Sequence, residues 1–198
     1  MNLGEPVLAF DVLIAASTDN SSSGPVRFII TAVGIAVVGL IFAAVGRRRN
    51  RKAAAAASTD APDSFAFVIV PGRPLAEQIA QVSAALGGSS EVPKITRYSR
   101  PVVTGGPNGI VVSDKKLGVL LTIPVPAIVQ LDSRPVKVKP HGVIGSGTFQ
   151  AIWVGVRHEG AEAGVALPPV SGMYDSVSQQ QALAISTELV ARLGLGRA

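Results

Sequence analysis

The longest hydrophobic stretch of the chain, FIITAVGIAVVGLIFAAVG over residues 28–46, carries no charge and a single hydroxyl, that of Thr31. Its apolar residues fall on every side of a helical wheel, so it lacks the polar face of a helix lying on a soluble core. At about 1.5 Å of rise per residue it reaches ~28 Å, close to the ~30 Å hydrocarbon core of a bilayer. The pattern predicts one membrane-spanning helix over residues 26–46. Gly39 and Ala43 have the small-x-x-x-small spacing that lets two such helices approach closely, a motif common in membrane helices of any kind.

Further along, the hydrophobic runs shorten and acquire punctuation. Phe65 to Val70 (FAFVIV) is aromatic and β-branched and is stopped by Pro71-Gly72, which predicts a strand. Within Pro74 to Leu86, the residues Leu75, Ile79, Val82 and Leu86 recur at spacings of four, three and four. Proline opens this segment and Gly87-Gly88 follow it, which predicts a short amphipathic helix. Strand segments then follow at Lys94–Val103, Ile110–Ser113, Gly118–Ile123, Ile128–Leu131, Pro135–Lys139, Phe149–His158 and Gly164–Leu167, separated by turn residues. Alternation is clearest in AIWVGVRH, where Ile152, Val154 and Val156 face one way and Trp153, Gly155 and Arg157 the other. Finally Ser178 and Gln181 have capping-box spacing, and Ala182, Ile185, Leu189 and Leu193 form a helical stripe that ends at Gly194. The fold class expected is mainly β with helices: an antiparallel barrel or sandwich capped by a C-terminal helix, the order of pleckstrin-homology-like (PH-like) folds.

The polar segments divide the chain into regions. Residues 1–25 combine a short apolar piece, VLAFDVLIAA, interrupted by Asp11, with STDNSSSGP, a flexible linker by composition. Immediately after the apolar run come Arg47, Arg48, Arg49, Arg51 and Lys52, whereas residues 1–27 hold one arginine against three acids. The positive-inside bias places residues 1–25 outside the cell and the C-terminal side in the cytoplasm, as a single-pass protein of the cell membrane. Residues 47–63 read as a basic juxtamembrane segment and linker in which Ala53 to Ala57 carry the helix onward until Ser58, Thr59, Asp60 and Pro62 end it. Residues 64–196 form the cytoplasmic domain.

Charge then narrows the partners. The isoelectric point is about 10.0, yet residues 53–198 hold twelve Lys and Arg against ten acids, so the basicity belongs to the juxtamembrane cluster. That argues against nucleic-acid binding, which needs cations gathered on a folded face. The partner that fits the five cations is the anionic inner leaflet, at roughly 1 kcal/mol per cation near the surface. Zero cysteines exclude a disulfide framework, a thiolate metal site and a Cys nucleophile.

Catalytic chemistry is thinly represented. His141 and His158 are the two histidines, and neither has a partner at metal-ligand spacing. Ser146, His158 and Asp175 supply the residue types of a triad, but Ser146 lies in GSG without a nucleophile-elbow pattern. The glycine-rich stretches around Gly105-Gly106 and Gly142 to Gly147 lack the strand-to-helix setting and the following Lys-Ser/Thr of a phosphate loop, and read as hairpin turns. Trp153, at an alternating strand position, reads as a packed residue more than as a pocket wall. Arg97, Arg100, Arg134, Lys137 and Lys139 fall near strand ends, where they would form an anion site only if brought to one rim; otherwise they are edge-protecting cations, and Pro135 to Pro140 reads as an edge strand. No catalytic, cofactor-binding or metal-binding residue is assigned, and neither an enzyme nor a small-molecule substrate is expected.

The segment GIVVSDKKLGVLLTIPVPAIVQLDSRPVKV, followed by AIWVGVR, resembles the membrane-anchored PH-like domain proteins of actinobacteria, the matching residues being Gly109, Ile110, Ile123, Pro124, Ala127, Ile128, Trp153 and Val154. These motifs are structural, and SRPVKVKPHGVIGSGT departs from the glycine-rich basic turn usual after the Ile-Pro strand. The resemblance implies a cytoplasmic PH-like module held by one membrane helix, without implying an activity. The reading that follows is a membrane-anchored interaction or scaffolding module that meets a protein partner through its cytoplasmic domain. The alternative is an accessory subunit of a membrane transport or export complex.

Overall fold

A computed structural model describes residues 24–59, 63–96, 98–139, 146–172 and 175–195. Within α1 (Gly24–Thr59) the side chains at 24–28, 30, 31, 39, 42, 43 and 56–59 lie outside the description. The chain forms two compact units, Met1–Phe42 and Ala43–Ala198.

The backbone helix α1 runs unbroken through the apolar stretch and the basic cluster. Among the described residues no helix is long and apolar enough to cross a membrane. Along the apolar stretch of α1, Ile29, Val33, Ile35, Val37, Val38, Leu40, Ile41 and Val45 are exposed.

From residue 65 onward two antiparallel sheets form. The first orders β1 (Phe65–Val68), β2 (Val102–Gly106), β3 (Gly109–Asp114) and β4 (Gly118–Pro124) side by side in sequence. A 3-10 turn, Val125–Ala127, set by Pro124 and Pro126, leads into the second sheet of β5 (Ile128–Val138), β6 (Gly147–His158) and β7 (Ala161–Leu167). The sheets are stitched together just past β1 and β7: Val70 N donates to Pro168 O (3.0 Å) and Val170 N to Val68 O (3.0 Å). Between β1 and β2, α2 (Arg73–Ala85) buries Leu75, Ile79 and Val82, with Leu86 half-buried just beyond its end. Gln78 of α2 accepts a hydrogen bond from Ala166 N (2.9 Å), which satisfies an amide on the outer edge of β7.

Ile152, Val154 and Val156 of β6 are at most 1 % exposed and meet Val103, Ile110, Val112, Ile123, Val165 and Leu167 in the core. The C-terminal helix α3 (Gln179–Leu193) lays Ala182, Leu189 and Leu193 onto the same core. Both arms of its capping box form, with Ser178 N donating to Gln181 Oε1 (2.9 Å) and Gln181 N to Ser178 Oγ (3.2 Å), and Gly194 ends it in the left-handed conformation. Close approach of α3 depends on Gly105, because a Cβ there would lie 2.3 Å from Leu189 Cδ2.

Two expectations are corrected. Residues 94–96 and 98–101 are not strand: Pro93 precedes this stretch and Pro101 ends it, and hydroxyls take amides within it, with Thr96 N donating to Ser99 Oγ (3.0 Å) and Tyr98 N to Thr96 Oγ1 (3.3 Å). Ile128 to Val138 is one continuous strand, because Asp132 to Pro135 stay in register with Trp153 to Gln150 and the missing amide of Pro135 falls on an edge strand. The basic segment continues α1 up to Thr59 and, from Ala43 onward, lies in the same compact unit as the sheets. Residues 1–23, Arg97 and residues 140–145, with His141, lie outside the described residues.

Candidate functional site

The place where charge, concavity and buried polarity coincide is the basic end of α1. In the run RRRNRK one residue is uncharged, and helical geometry makes it the contact point. Gly46 and Asn50, one turn apart, are buried, while Arg47, Arg48, Arg49, Arg51 and Lys52 are exposed. Asn50 is 7 % exposed, and both ends of its amide are engaged. Its Nδ2 donates to the carbonyl oxygen of Gly172 (2.5 Å), and its Oδ1 accepts from Nη1 of Arg100 (3.0 Å).

Each partner of Asn50 is itself held. Gly172 follows the segment that is stitched to β1 and is adjacent to Ser171, whose amide donates to Asp175 O (3.1 Å). The Arg100 amide donates to Asp114 Oδ2 (2.7 Å), and the other carboxylate oxygen of Asp114 accepts from Lys116 N (2.8 Å) and Leu117 N (3.3 Å) in the β3–β4 turn. A hydrogen-bonded chain therefore runs from the β3–β4 turn through Arg100 and Asn50 to the segment after β7. A satisfied buried amide of this kind fixes one arrangement, because leaving either end unpaired costs about 1–3 kcal/mol.

Asn50 lies at the edge of an open groove of about 470 Å3, lined by Arg47, Arg51 and Ala54 of α1, by Val68, Val170 and Ser171, and by Gln181 in the first turn of α3. Arg47 and Arg51 stand one turn apart over this groove, and neither makes an ion pair or side-chain hydrogen bond among the described residues. The carboxylate of Asp175 packs against Gly172 and is not part of the groove lining. The groove thus offers two uncommitted guanidinium groups, an apolar wall of Val68 and Val170, and polar atoms of Ser171 and Gln181. This combination suits an anion carried on a small apolar stem.

The other charged residues singled out in the sequence are spread elsewhere. Arg100 joins the basic cluster through Asn50. Arg134 lies on the outer face of the second sheet, its guanidinium carbon 3.7 Å from the centre of the Trp153 ring and its Nε 3.8 Å from Asp132 Oδ1. Trp153 is half-buried there, its ring laid over Gly164, where a Cβ would come within 2.1 Å of it. Lys137 and Lys139 are exposed at the end of β5. Among the described residues Arg100, Arg134, Lys137 and Lys139 share no contact that would make them one rim site. His158 is exposed, 4.0 Å from Glu159, and has no hydrogen bond or ion pair with Ser146 or Asp175. Among the described residues no group of three or more His, Asp or Glu has the arrangement of a metal site.

Asn50 and Gly172 are not singled out by the sequence, and Gln181 is singled out only as part of a helix cap. The available signal was the periodicity of RRRNRK: Gly46, Asn50 and Ala54 recur every fourth residue and make the one cation-free face of that segment. Comparison with known proteins assigns no kinship: no family model, no curated protein and no solved structure matches the chain.

Proposed function

We propose that the chain is a single-pass membrane protein whose PH-like domain, on the cytoplasmic side, serves as an interaction or scaffolding module without catalytic activity. The observation that carries the anchoring is the row of large apolar side chains left exposed along α1, directly followed by five cations. Water does not tolerate such a surface on one continuous helix, and a bilayer does. Supporting the PH-like reading is the order of elements: four antiparallel strands, with α2 inserted between the first two, then three, then one helix whose apolar face closes the core.

Docking of the basic segment against the domain through Asn50 gives the scaffold reading a physical basis. A domain fastened at the root of its anchor presents fixed surfaces to the cytosol, and the anchor raises local concentration for any partner on the same membrane. Of the sheet edges, β7 is occupied by Gln78, and β5 carries Arg134, Pro135 and Lys137, residues that discourage edge pairing. Neither edge of the second sheet therefore invites strand addition, which supports a partner surface on the rim loops or on an edge of the first sheet.

The test is crosslinking capture in the native cell with the full chain and with a chain lacking residues 64–198. Soluble proteins captured only by the full chain support the scaffold. A polytopic membrane complex captured equally by both would overturn it in favour of an accessory subunit that works through α1.

A further inference from the structure

We propose that the groove between α1 and the segment after β7 is a phosphate-binding site, with Arg47 and Arg51 as its two ligating side chains. The inference rests on the membrane reading for the source of the phosphate but not for the site itself. Residues four apart on a helix stand about 5–6 Å apart at Cβ, so two arginines at 47 and 51 can share one phosphate group between their planar forks. Both overhang a groove of about 470 Å3, and both are free of ion pairs and side-chain hydrogen bonds among the described residues.

Their neighbours Arg48 and Arg49 carry the same charge on the same turn but do not line the groove. What distinguishes the two pairs is Asn50. By bonding to Gly172 and Arg100 it fixes the rotation of the helix, so that positions 47 and 51 flank the groove. Within the groove Ser171 and Gln181 offer polar atoms, and Val68, Val170 and Ala54 offer an apolar wall. A bare inorganic anion has no use for that wall, whereas the glycerol and first methylenes of an anionic phospholipid do. Arg47 is also the first residue after the apolar stretch, which in the membrane reading sets it at headgroup depth. The shared chemistry is a phosphate monoanion; its source is a lipid headgroup or the solution.

The experiment uses the full chain in non-ionic detergent micelles and labels arginines with phenylglyoxal, the extent at each position being read by mass spectrometry. Short-chain phosphatidylglycerol and inorganic phosphate are titrated separately. The proposal requires labelling at Arg47 and Arg51 to fall about tenfold on saturation while Arg48 and Arg49 change by less than about twofold, as expected of a site rather than a diffuse field. Protection by the lipid alone identifies a headgroup site, and equal protection by phosphate identifies a soluble ligand.

Equal protection of all four arginines, or of none, overturns the proposal. As a second measure, replacing Arg47 and Arg51 together with glutamine must weaken binding about tenfold, and replacing Arg48 and Arg49 together must not. Failure of the membrane reading would show separately, as release of the chain from membranes by alkaline carbonate, and leaves the phosphate titration interpretable.

Discussion

Replacing Asn50 with alanine tests whether the basic end of α1 is held by the domain or merely lies near it. The substitution removes a donor to Gly172 O and an acceptor for Arg100 Nη1, and it leaves the helix-forming tendency of the segment slightly improved. The orphaned Gly172 carbonyl, in a buried residue, costs about 1–3 kcal/mol. Arg100 is only half-buried and can turn toward water, so its share is at the low end, under about 1 kcal/mol. The sum, about 1–4 kcal/mol, acts on the local docking of residues 43–59 and not on the core of the sheets. At tenfold per 1.4 kcal/mol, undocking becomes about 5- to 700-fold more frequent. Amide hydrogen exchange on the full chain in detergent reads this directly: exchange within 47–55 and around Gly172 should accelerate by that order, while Val103, Ile110, Ile152 and Val154 keep their protection. If the 47–55 amides accelerate less than about threefold, Asn50 is not what docks the helix. If the strand amides accelerate equally, docking and folding of the domain are a single event and the local account is wrong.

Other substitutions check separate steps of the argument. Gly105→Ala places a Cβ 2.3 Å from the buried Leu189 Cδ2 and should lower stability by about 1–3 kcal/mol, visible as a reduced denaturation midpoint with an unchanged slope. Ser178→Ala removes the capping box of α3 and should cost about 1 kcal/mol in the same assay. Gly164→Ala must displace the Trp153 ring from its seat beneath Arg134, so the emission of this single tryptophan should shift to the red, whereas Arg134→Lys should leave the ring seated. Neutralising Arg47, Arg48, Arg49, Arg51 and Lys52 together should weaken the orientation preference of the anchor, read as partial export of a reporter fused after Ala198.

The parts of the fold that could be read in advance are those with a strict period or a local chemical signature. α2 and α3 carry apolar stripes at three- and four-residue spacing, and α3 has its capping box and its Gly194. β6 alternates cleanly because one face meets the core and the other carries Trp153 and Arg157. What could not be read depended on contacts distant in sequence. Val102 to Gly106 is a strand despite its two glycines because β1 and β3 flank it and because Gly105 makes room for Leu189. Asp132 to Arg134 reads as a break between two strands, but pairing with β6 keeps it extended. The site has the same character. A run of cations gives no hint that one interior asparagine reaches Gly172, 122 residues away, or that this contact turns two of the arginines toward a groove.

The measurement closest to the central claim is protease accessibility combined with alkaline carbonate extraction, performed on native membranes carrying the full chain. The account predicts that the chain stays in the membrane pellet after carbonate. It also predicts that residues 64–198 resist protease added to intact spheroplasts and are digested in inverted vesicles. Recovery of the chain in the carbonate supernatant, or digestion of residues 64–198 in intact spheroplasts, would contradict it.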